Sequence, residues 1–287
     1  MSRIVITGSS RGIGMATALM LARAGHFVVA AMREPVRSPE LGRISARENL
    51  PVQIEELDVD SDESVHACFA KVQSRAPVDV LVNNAGIERM GSVEETPMAD
   101  FRACMETNYF GALRCIQAVA PGMRERRQGT IVNVTSVAGK ICAAPMTPYA
   151  ASKFALEAAS EGLAQEMKPF GVRVAIVEPG IIDTRMAREV ESLPGSAVYP
   201  QAKRIAALFR ASLARGAASP EVVAGKVREI VESGTWQLRH AASADAGPFL
   251  SWRTSMNDEQ WAAWGALDDA CWASAVKRDF GIEVDLE

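Results

Sequence analysis

The sequence predicts an α/β protein built on one doubly wound parallel sheet of about seven strands, with helices on both faces. Three observations carry that expectation. Short apolar runs alternate with longer amphipathic ones, six times in succession, along most of the chain. The first apolar run ends in a glycine-rich turn that opens directly into a helical pattern. No internal repeat, low-complexity tract or linker divides the chain, so one sheet must serve the whole of it.

In chain order, residues 3 to 7 read as a buried strand, followed by Thr7-Gly8-Ser9-Ser10-Arg11-Gly12-Ile13-Gly14 and a helix from Met15 to Ala24. Glycines at 8, 12 and 14 permit a tight turn, close approach to a pyrophosphate and close packing of helix on strand. The helix N-terminus offers free N–H groups to an anion. Phe27 to Met32 is the second strand, and its end runs Ala30-Ala31-Met32-Arg33. An acid there would accept from a ribose 2′-hydroxyl; Met32 cannot, while Arg33, with Arg11, suits a 2′-phosphate.

Residues 34 to 50 predict an abbreviated second crossover. Val52 to Leu57 is the third strand, with Asp58-Val59 at its carboxyl end, where an adenine would lie. A helix from Ser61 to Ser74 leads to the fourth strand, Val78 to Val82, and then to Asn83-Asn84-Ala85-Gly86. Those small residues and amides suit either close approach of a cofactor or a tie between strands. Pro97 opens a long helix to Arg126, interrupted at Thr107-Asn108-Tyr109-Phe110-Gly111, where poor helix formers mark a functional kink. Thr130 to Val134 is the fifth strand.

Ser136 follows that strand, and a helix from Pro148 to Lys168 carries Tyr149 and Lys153. Four residues apart on a helix, the phenol and the ammonium share a face, and the ammonium is expected to pull the phenol pKa down toward the working range. The Ser136 hydroxyl is placed to hold a carbonyl oxygen. Val172 to Val177 is the sixth strand, ending at Glu178-Pro179-Gly180 on the carboxyl edge, where open α/β sheets bind ligands. From Ile181 to Gly216, with Pro194-Gly195 inside it, the pattern loosens into an expected substrate lid bearing Met186, Val190, Leu193, Val198, Ile205, Leu208 and Phe209. Pro220 to Glu232 is a helix and Trp236 to Arg239 a short last strand. Four of the five tryptophans (Trp252, Trp261, Trp264, Trp272) lie in the tail, so burial against the body, a subunit or a bulky substrate is expected.

Composition narrows the partners. With 287 residues, 48% hydrophobic and 23% charged, the chain suits a globular domain, and a net charge of −4 with mixed signs offers no footprint for nucleic acid or an anionic membrane face. Five widely spaced cysteines and three histidines show no metal spacing, and an odd thiol count fits a reducing compartment. No apolar run reaches the roughly 18 residues of a membrane span. A cytoplasmic setting is expected, with no metal.

On these residues the chain resembles the short-chain dehydrogenase/reductases over residues 1 to 240. Thr7-Gly8-x-x-x-Gly12-Ile13-Gly14 is similar to the family's cofactor loop, Asn83-Asn84-Ala85-Gly86 to its sheet motif, and Pro179-Gly180 to its cofactor-side turn. The resemblance implies a Rossmann-type sheet and a catalytic tetrad of Asn108, Ser136, Tyr149 and Lys153. Tyr149 would exchange the proton, Ser136 steady the substrate oxygen, Lys153 lower the Tyr149 pKa and hold the nicotinamide ribose, and Asn108 order a water. It further implies NADP(H), held by Gly8, Ser9, Ser10, Arg11, Gly12, Ile13, Gly14, Arg33, Asp58, Val59, Asn83, Ala85, Gly86, Tyr149, Lys153, Pro179, Gly180, Ile182 and Thr184.

The run from Tyr149 to Glu157 is most similar to the hydroxysteroid and retinol dehydrogenase branch. The expected activity is hydride transfer between a nicotinamide and a carbonyl or secondary alcohol, with an apolar substrate suggested by the lid. Pairing through the helices at 97 to 126 and 148 to 168 implies a homodimer or homotetramer. The domain expected is 1 to 247, with its lid at 181 to 216, and a Trp-rich extension at 248 to 287 packed on it. A redox-sensing binding protein of the same fold is the alternative, and the intact tetrad argues against it. A sugar-nucleotide epimerase needs a larger C-terminal domain than this chain supplies.

Overall fold

The computed structural model describes residues 1–286 apart from 194 and 197, so Pro194 of the expected lid and the terminal Glu287 lie outside the described residues. Seven strands form one parallel sheet: β1 (Arg3–Thr7), β2 (Phe27–Met32), β3 (Val52–Glu56), β4 (Val80–Asn83), β5 (Gly129–Val134), β6 (Val172–Pro179) and β7 (Arg239–Ala242). Their spatial order is β3-β2-β1-β4-β5-β6-β7. The chain therefore reverses direction across the sheet between β1 and β4, and a crevice opens at the carboxyl ends of those two strands.

Between the strands run α1 (Gly12–Arg23), α2 (Glu40–Arg47), α3 (Asp62–Gln73), α4 (Met98–Met105), α5 (Gly111–Arg126) and α6 (Thr147–Met167). After β6 come α7 (Arg185–Glu191), α8 (Gln201–Ala214) and α9 (Pro220–Ser233). Because strand side chains alternate, each strand feeds two cores. Ile4 and Ile6 pack with Leu21, Leu41, Val227 and Ile230 on the α1–α2–α9 face, while Val5 packs with Phe69, Val119 and Met123 on the face of α3 and α5. Strands buried on both faces read as continuous apolar runs, which is why their places were predictable.

Two features bear on the site. Between α4 and α5 the helix widens into a π-turn at Glu106–Phe110, at the interruption expected from the sequence. The last strand is a correction: it is Arg239–Ala242 and not Trp236 to Arg239. Arg239 is the residue registered against Ile176, His240 and Ala242 are buried, and Trp236 is 51% exposed with the Lys168 ammonium over its ring. A four-residue edge strand carries too few apolar positions to announce its own boundary.

Beyond β7 the tail folds into α10 (Ala246–Thr254), α11 (Asp258–Gly265) and α12 (Asp269–Phe280). Trp272, 2% exposed, packs with Val276, Leu208 and Trp264, and Phe249 packs with Ile141 and Ile181. Asp269 at the start of α12 accepts from Arg204 Nε of α8 at 2.7 Å and pairs with Lys203. The tail thus rests on α8 and on the end of the sheet.

Candidate active site

The crevice is a cavity of about 560 Å³ that runs from the glycine turn, past β4 and β5, to the tail. At its first end the turn between β1 and α1 is held by Asn84. The Asn84 side chain donates from Nδ2 to Thr7 O (3.0 Å) and Gly8 O (3.2 Å), and Thr7 Oγ1 accepts from the backbone N–H groups of Asn84 and Ala85 at 3.0 Å each. Gly8 and Gly12 have φ of +68° and +56°, the left-handed region that glycine enters without strain. A methyl on Gly8 would stand 2.7 Å from Ala85 Cα, and one on Gly14 only 2.3 Å from Gly8 O. The turn is therefore pressed against the end of β4, and its backbone together with the start of α1 makes a cradle for an anion.

Above the cradle, Arg11 and Arg33 are exposed on the cavity wall, and neither makes a hydrogen bond or ion pair among the described residues. Met32, Asp58 and Val59 continue that wall. Two acids that went unnoticed in the sequence join it. Glu34, one residue past Arg33, is drawn away toward Arg37 at 3.1 Å. The Asp60 carboxyl accepts from Thr107 Oγ1 at 2.9 Å, and burial raises its pKa against that hydrogen bond and the weaker pull of Arg33. Two guanidiniums without a hydrogen bond or ion pair, Arg33 at the end of β2 and Arg11 in the glycine turn, fit the phosphates of a nicotinamide dinucleotide.

At the middle of the cavity Ser136, Tyr149 and Lys153 come together as expected. Ser136 follows β5; its Oγ accepts from Ala138 N at 3.1 Å and donates toward Pro179 O at 3.5 Å, tying the ends of β5 and β6. Tyr149 and Lys153 stand on one face of α6, the ammonium 5.6 Å from the ring centroid, and both are buried. Lys153 Nζ donates to Val134 O at 3.0 Å.

The electrostatics run opposite to expectation. Burial, then the negative charge of Glu88, pushes the Tyr149 pKa above its ordinary value, with the Ser136 hydroxyl opposing. Burial also lowers Lys153 to about 8, so the ammonium sits near its own titration point and is not what sets the tyrosine. Spacing on a helix places the pair; it says nothing of desolvation, and desolvation is the larger effect here.

Four expected residues lie elsewhere. Asn108, in the π-turn, is 1% exposed, and its side chain is fully engaged: Oδ1 accepts from Ile87 N at 2.8 Å, while Nδ2 donates to Ile87 O and Ser152 Oγ at 2.9 Å each. It braces the loop after β4 against α6. Asn83 is a strand tie and not a cavity residue: its Nδ2 donates to Asn133 Oδ1 at 2.9 Å, and Asn133 donates to Ser160 Oγ at 2.8 Å. The neighbouring Asn84 takes the cavity position. Ser9 turns inward, 0% exposed, donating to Ile6 O at 2.8 Å. Gly14 packs beneath the turn. Gly8, Ser10, Arg11, Gly12, Ile13, Arg33, Asp58, Val59, Ala85, Gly86, Pro179, Gly180, Ile182 and Thr184 all line the cavity.

The far end of the cavity is apolar. Met186, Ile205, Leu208 and Phe209 reach it from α7 and α8, whereas Val190 is buried behind it and Val198 is 68% exposed. The tail supplies Phe249, Trp252, Trp261, Trp264 and Phe280, a wall whose placement the concentration of tryptophans in the tail did not disclose. Trp261 and Trp264 stack at 5.4 Å with their planes 8° apart, and Trp252 stands edge-on to both. The tail also shapes the turn after β6: Ser243 Oγ accepts from Gly180 N at 3.1 Å and Asp245 Oδ2 from Ile181 N at 2.8 Å.

A doubly wound sheet with a glycine cradle at its switch point and a hydroxyl–phenol–amine group beside it defines a nucleotide-dependent oxidoreductase. Comparison with known proteins makes the class specific. A family model described as short chain dehydrogenase matches residues 2–218. Retinol dehydrogenase 8 of Homo sapiens is 40% identical over 202 residues, covering 69% of this chain and 64% of that protein, so the match spans just under two thirds of the relative's length. A short-chain dehydrogenase structure from Streptomyces avermitilis superposes with a TM-score of 0.78 at 32% identity, covering 92% of this chain and 96% of that one. A gluconate 5-dehydrogenase from Burkholderia cenocepacia J2315, in complex with NADP and tartrate, has a TM-score of 0.71 at 25% identity, covering 86% and 95%. The chain belongs to the short-chain dehydrogenase/reductase family and is similar to its retinol dehydrogenase-like branch.

Proposed function

We propose that this protein is an NADP(H)-dependent oxidoreductase that interconverts a carbonyl and a secondary alcohol on a largely apolar substrate, with Tyr149 as the proton-transferring residue. The observation that carries the reading is the continuity of the cavity: glycine cradle, uncommitted Arg11 and Arg33, the Ser136–Tyr149–Lys153 group and an aromatic wall share one space. When bound, the nicotinamide dinucleotide supplies or accepts the hydride. The chain's own residues do the rest.

Ser136 holds the carbonyl oxygen by hydrogen bond. Tyr149, with its pKa raised, keeps its proton at neutral pH and gives it to that oxygen during reduction. Lys153, buried beside the ring, places positive charge near the phenolate left behind, and titrates near pH 8. Apolar side chains of α7, α8 and the tail exclude water. Residues 1 to 247 with the lid at 181 to 216 form the oxidoreductase domain, and the 248 to 287 extension closes its substrate end.

Three further parts belong to the proposal. NADP(H) preference is supported by Met32 and Arg33, where an acid would repel a 2′-phosphate. Assembly as a homodimer or homotetramer is supported by Met98, Phe110 and Phe154, exposed apolar residues on the pairing helices. A reducing, cytoplasmic setting is supported by five free thiols; no helix among the described residues is long and apolar enough to cross a membrane.

The decisive experiment titrates NADPH and NADH against wild type, Arg33→Ala and Met32→Asp, then screens ketones and alcohols by NADPH absorbance. Two charge-assisted hydrogen bonds of about 1.5–3 kcal/mol each set an upper bound that solvent screening at the exposed Arg33 cuts to about 1.4–4 kcal/mol, a preference for NADPH of roughly tenfold to a thousandfold. Equal or tighter binding of NADH to wild type overturns the cofactor assignment. Cofactor binding with no turnover across the screen favours the redox-sensing alternative.

A further inference from the structure

Tyr149, Lys153 and Glu157 recur every fourth residue on α6, so a carboxyl shares the face that carries the phenol and the amine. Glu157 is 3% exposed and lies outside the cavity lining. A buried carboxyl costs free energy that an apolar side chain in its place would not, so filling space gives no account of it. The Arg239 guanidinium, reaching over from β7, meets Glu157 Oε2 at 3.0 Å and also pairs with Glu161 and Glu178.

What that carboxyl holds is the segment bearing Ser136. Just before Ser136, Thr135 Oγ1 donates to Glu157 Oε1 at 2.7 Å, and both groups are buried. The Thr135 N–H is already spent on Val177 O of β6 at 2.8 Å, so the hydroxyl is its tie to α6. Just after Ser136, a methyl on Gly139 would stand 2.9 Å from Glu157 Cγ and 3.3 Å from Lys153 O, so the short turn Val137–Gly139 lies directly on this stretch of α6. Ser136 spans those two contacts, and its own Oγ accepts from Ala138 N at 3.1 Å inside the turn. One residue earlier, Val134 O accepts from Lys153 Nζ at 3.0 Å. The chain on both sides of Ser136 is thus registered against the helix that carries Tyr149 and Lys153.

We propose that Glu157 is a positioning residue for this site: fixed by Arg239, its carboxyl sets where the Ser136 hydroxyl stands relative to Tyr149 and Lys153. It touches neither substrate nor dinucleotide and acts on the reaction through Ser136. This rests on the oxidoreductase reading above and adds to it the residue that sets its geometry.

Thr135→Val removes the hydroxyl that Glu157 holds while keeping the side-chain shape, and Thr135→Ser keeps the hydroxyl. Crystal structures of wild type and Thr135→Val measure the separation of Ser136 Oγ from Tyr149 Oη, which is expected to change by on the order of an ångström. In Thr135→Val, steady-state reduction of the fastest ketone in the screen above is expected to lose about ten- to a hundredfold in kcat, the cost of such a misplacement, with NADPH affinity within about threefold of wild type. Thr135→Ser is expected to recover most of the rate. In a Ser136→Ala background, Thr135→Val should change kcat by no more than about twofold, since the hydroxyl it would misplace is gone. Glu157→Gln keeps an acceptor for Thr135 and loses the charge for Arg239, so it should show a smaller loss and the same silence in that background.

An unmoved Ser136 Oγ in Thr135→Val, or an undiminished kcat, overturns the assignment. A loss of equal size in the Ser136→Ala background overturns it too, leaving Glu157 a part of the fold and nothing more. A displaced Ser136 in a protein whose wild type turns over no ketone or alcohol upholds the placement and overturns the oxidoreductase reading instead.

Discussion

Replacing Gly14 by alanine adds one methyl group at a point where the turn and α1 already touch. The new Cβ would stand 2.3 Å from Gly8 O and 2.5 Å from Asn84 Nδ2, so the helix must retreat by roughly an ångström to restore ordinary contact. Retreat stretches the Asn84 hydrogen bonds to Thr7 O and Gly8 O, each worth about 1 kcal/mol. Adding an overpacking cost of about 1–3 kcal/mol and subtracting the helical gain of alanine leaves a net loss of about 2–4 kcal/mol. At about 2–4 °C per kcal/mol for a domain of this size class, Tm should fall by roughly 4–16 °C. The cradle moves with the helix, so NADPH affinity should fall as well. Gly162→Ala is the matched control: that glycine is inside α6 with nothing within 4 Å of a built Cβ, and the change should raise stability by about 0.5–1 kcal/mol. Thermal melts and calorimetric titration of NADPH measure both. A Gly14→Ala protein with wild-type Tm and wild-type nucleotide affinity would refute the close-contact account of the turn.

Tyr149→Phe should lower turnover by roughly 10²–10⁴-fold while leaving dinucleotide affinity nearly unchanged, since only the transferable proton is lost; steady-state rates and titration check it, and normal turnover would sink the assignment. Glu178 makes a pH prediction. Burial, then repulsion by Glu157, raises its pKa from 4.5 to about 7, so across that window the unfolded chain has released a proton that the folded chain keeps. Wild-type stability should therefore decline as pH rises through the window, and Glu178→Gln should gain an advantage on the order of 2 kcal/mol at pH values above about 7 and none at acid pH. Melts across that range test it, and a constant offset would contradict it. Trp272→Ala should cost about 3–5 kcal/mol, because the ring is buried against α8 and α11. It should also raise KM for bulky substrates by loosening the Trp264 wall, and unchanged stability would show that the tail is dispensable.

What was legible in the sequence is what local periodicity and local spacing govern. Strands buried on both faces must be apolar throughout, so β1 to β6 announced themselves, and glycines marked the turn because close contact at 8 and 14 and a positive φ at 8 and 12 exclude other residues. Tyr149 and Lys153 needed only one turn of helix to meet, and the π-turn at Glu106–Phe110 fell where poor helix formers cluster. Those features depend on a few neighbouring residues, and the sequence by itself determined them.

The tertiary structure decided whatever depends on partners far along the chain. Asn83 and Asn84 are adjacent in one motif, yet strand pairing turns the first onto Asn133 and leaves the second to clamp the glycine turn. The start of β7 was set by its register on β6, and the pKa values of Tyr149 and Lys153 by burial and by Glu88. The concentration of tryptophans in the tail announced burial but not which surface receives them; the pairing of Arg204 with Asp269, far apart in sequence, ties the tail to α8, and Trp252, Trp261 and Trp264 line the cavity. Desolvation and long-range contact are properties of the assembled chain, and no window of neighbouring residues contains them.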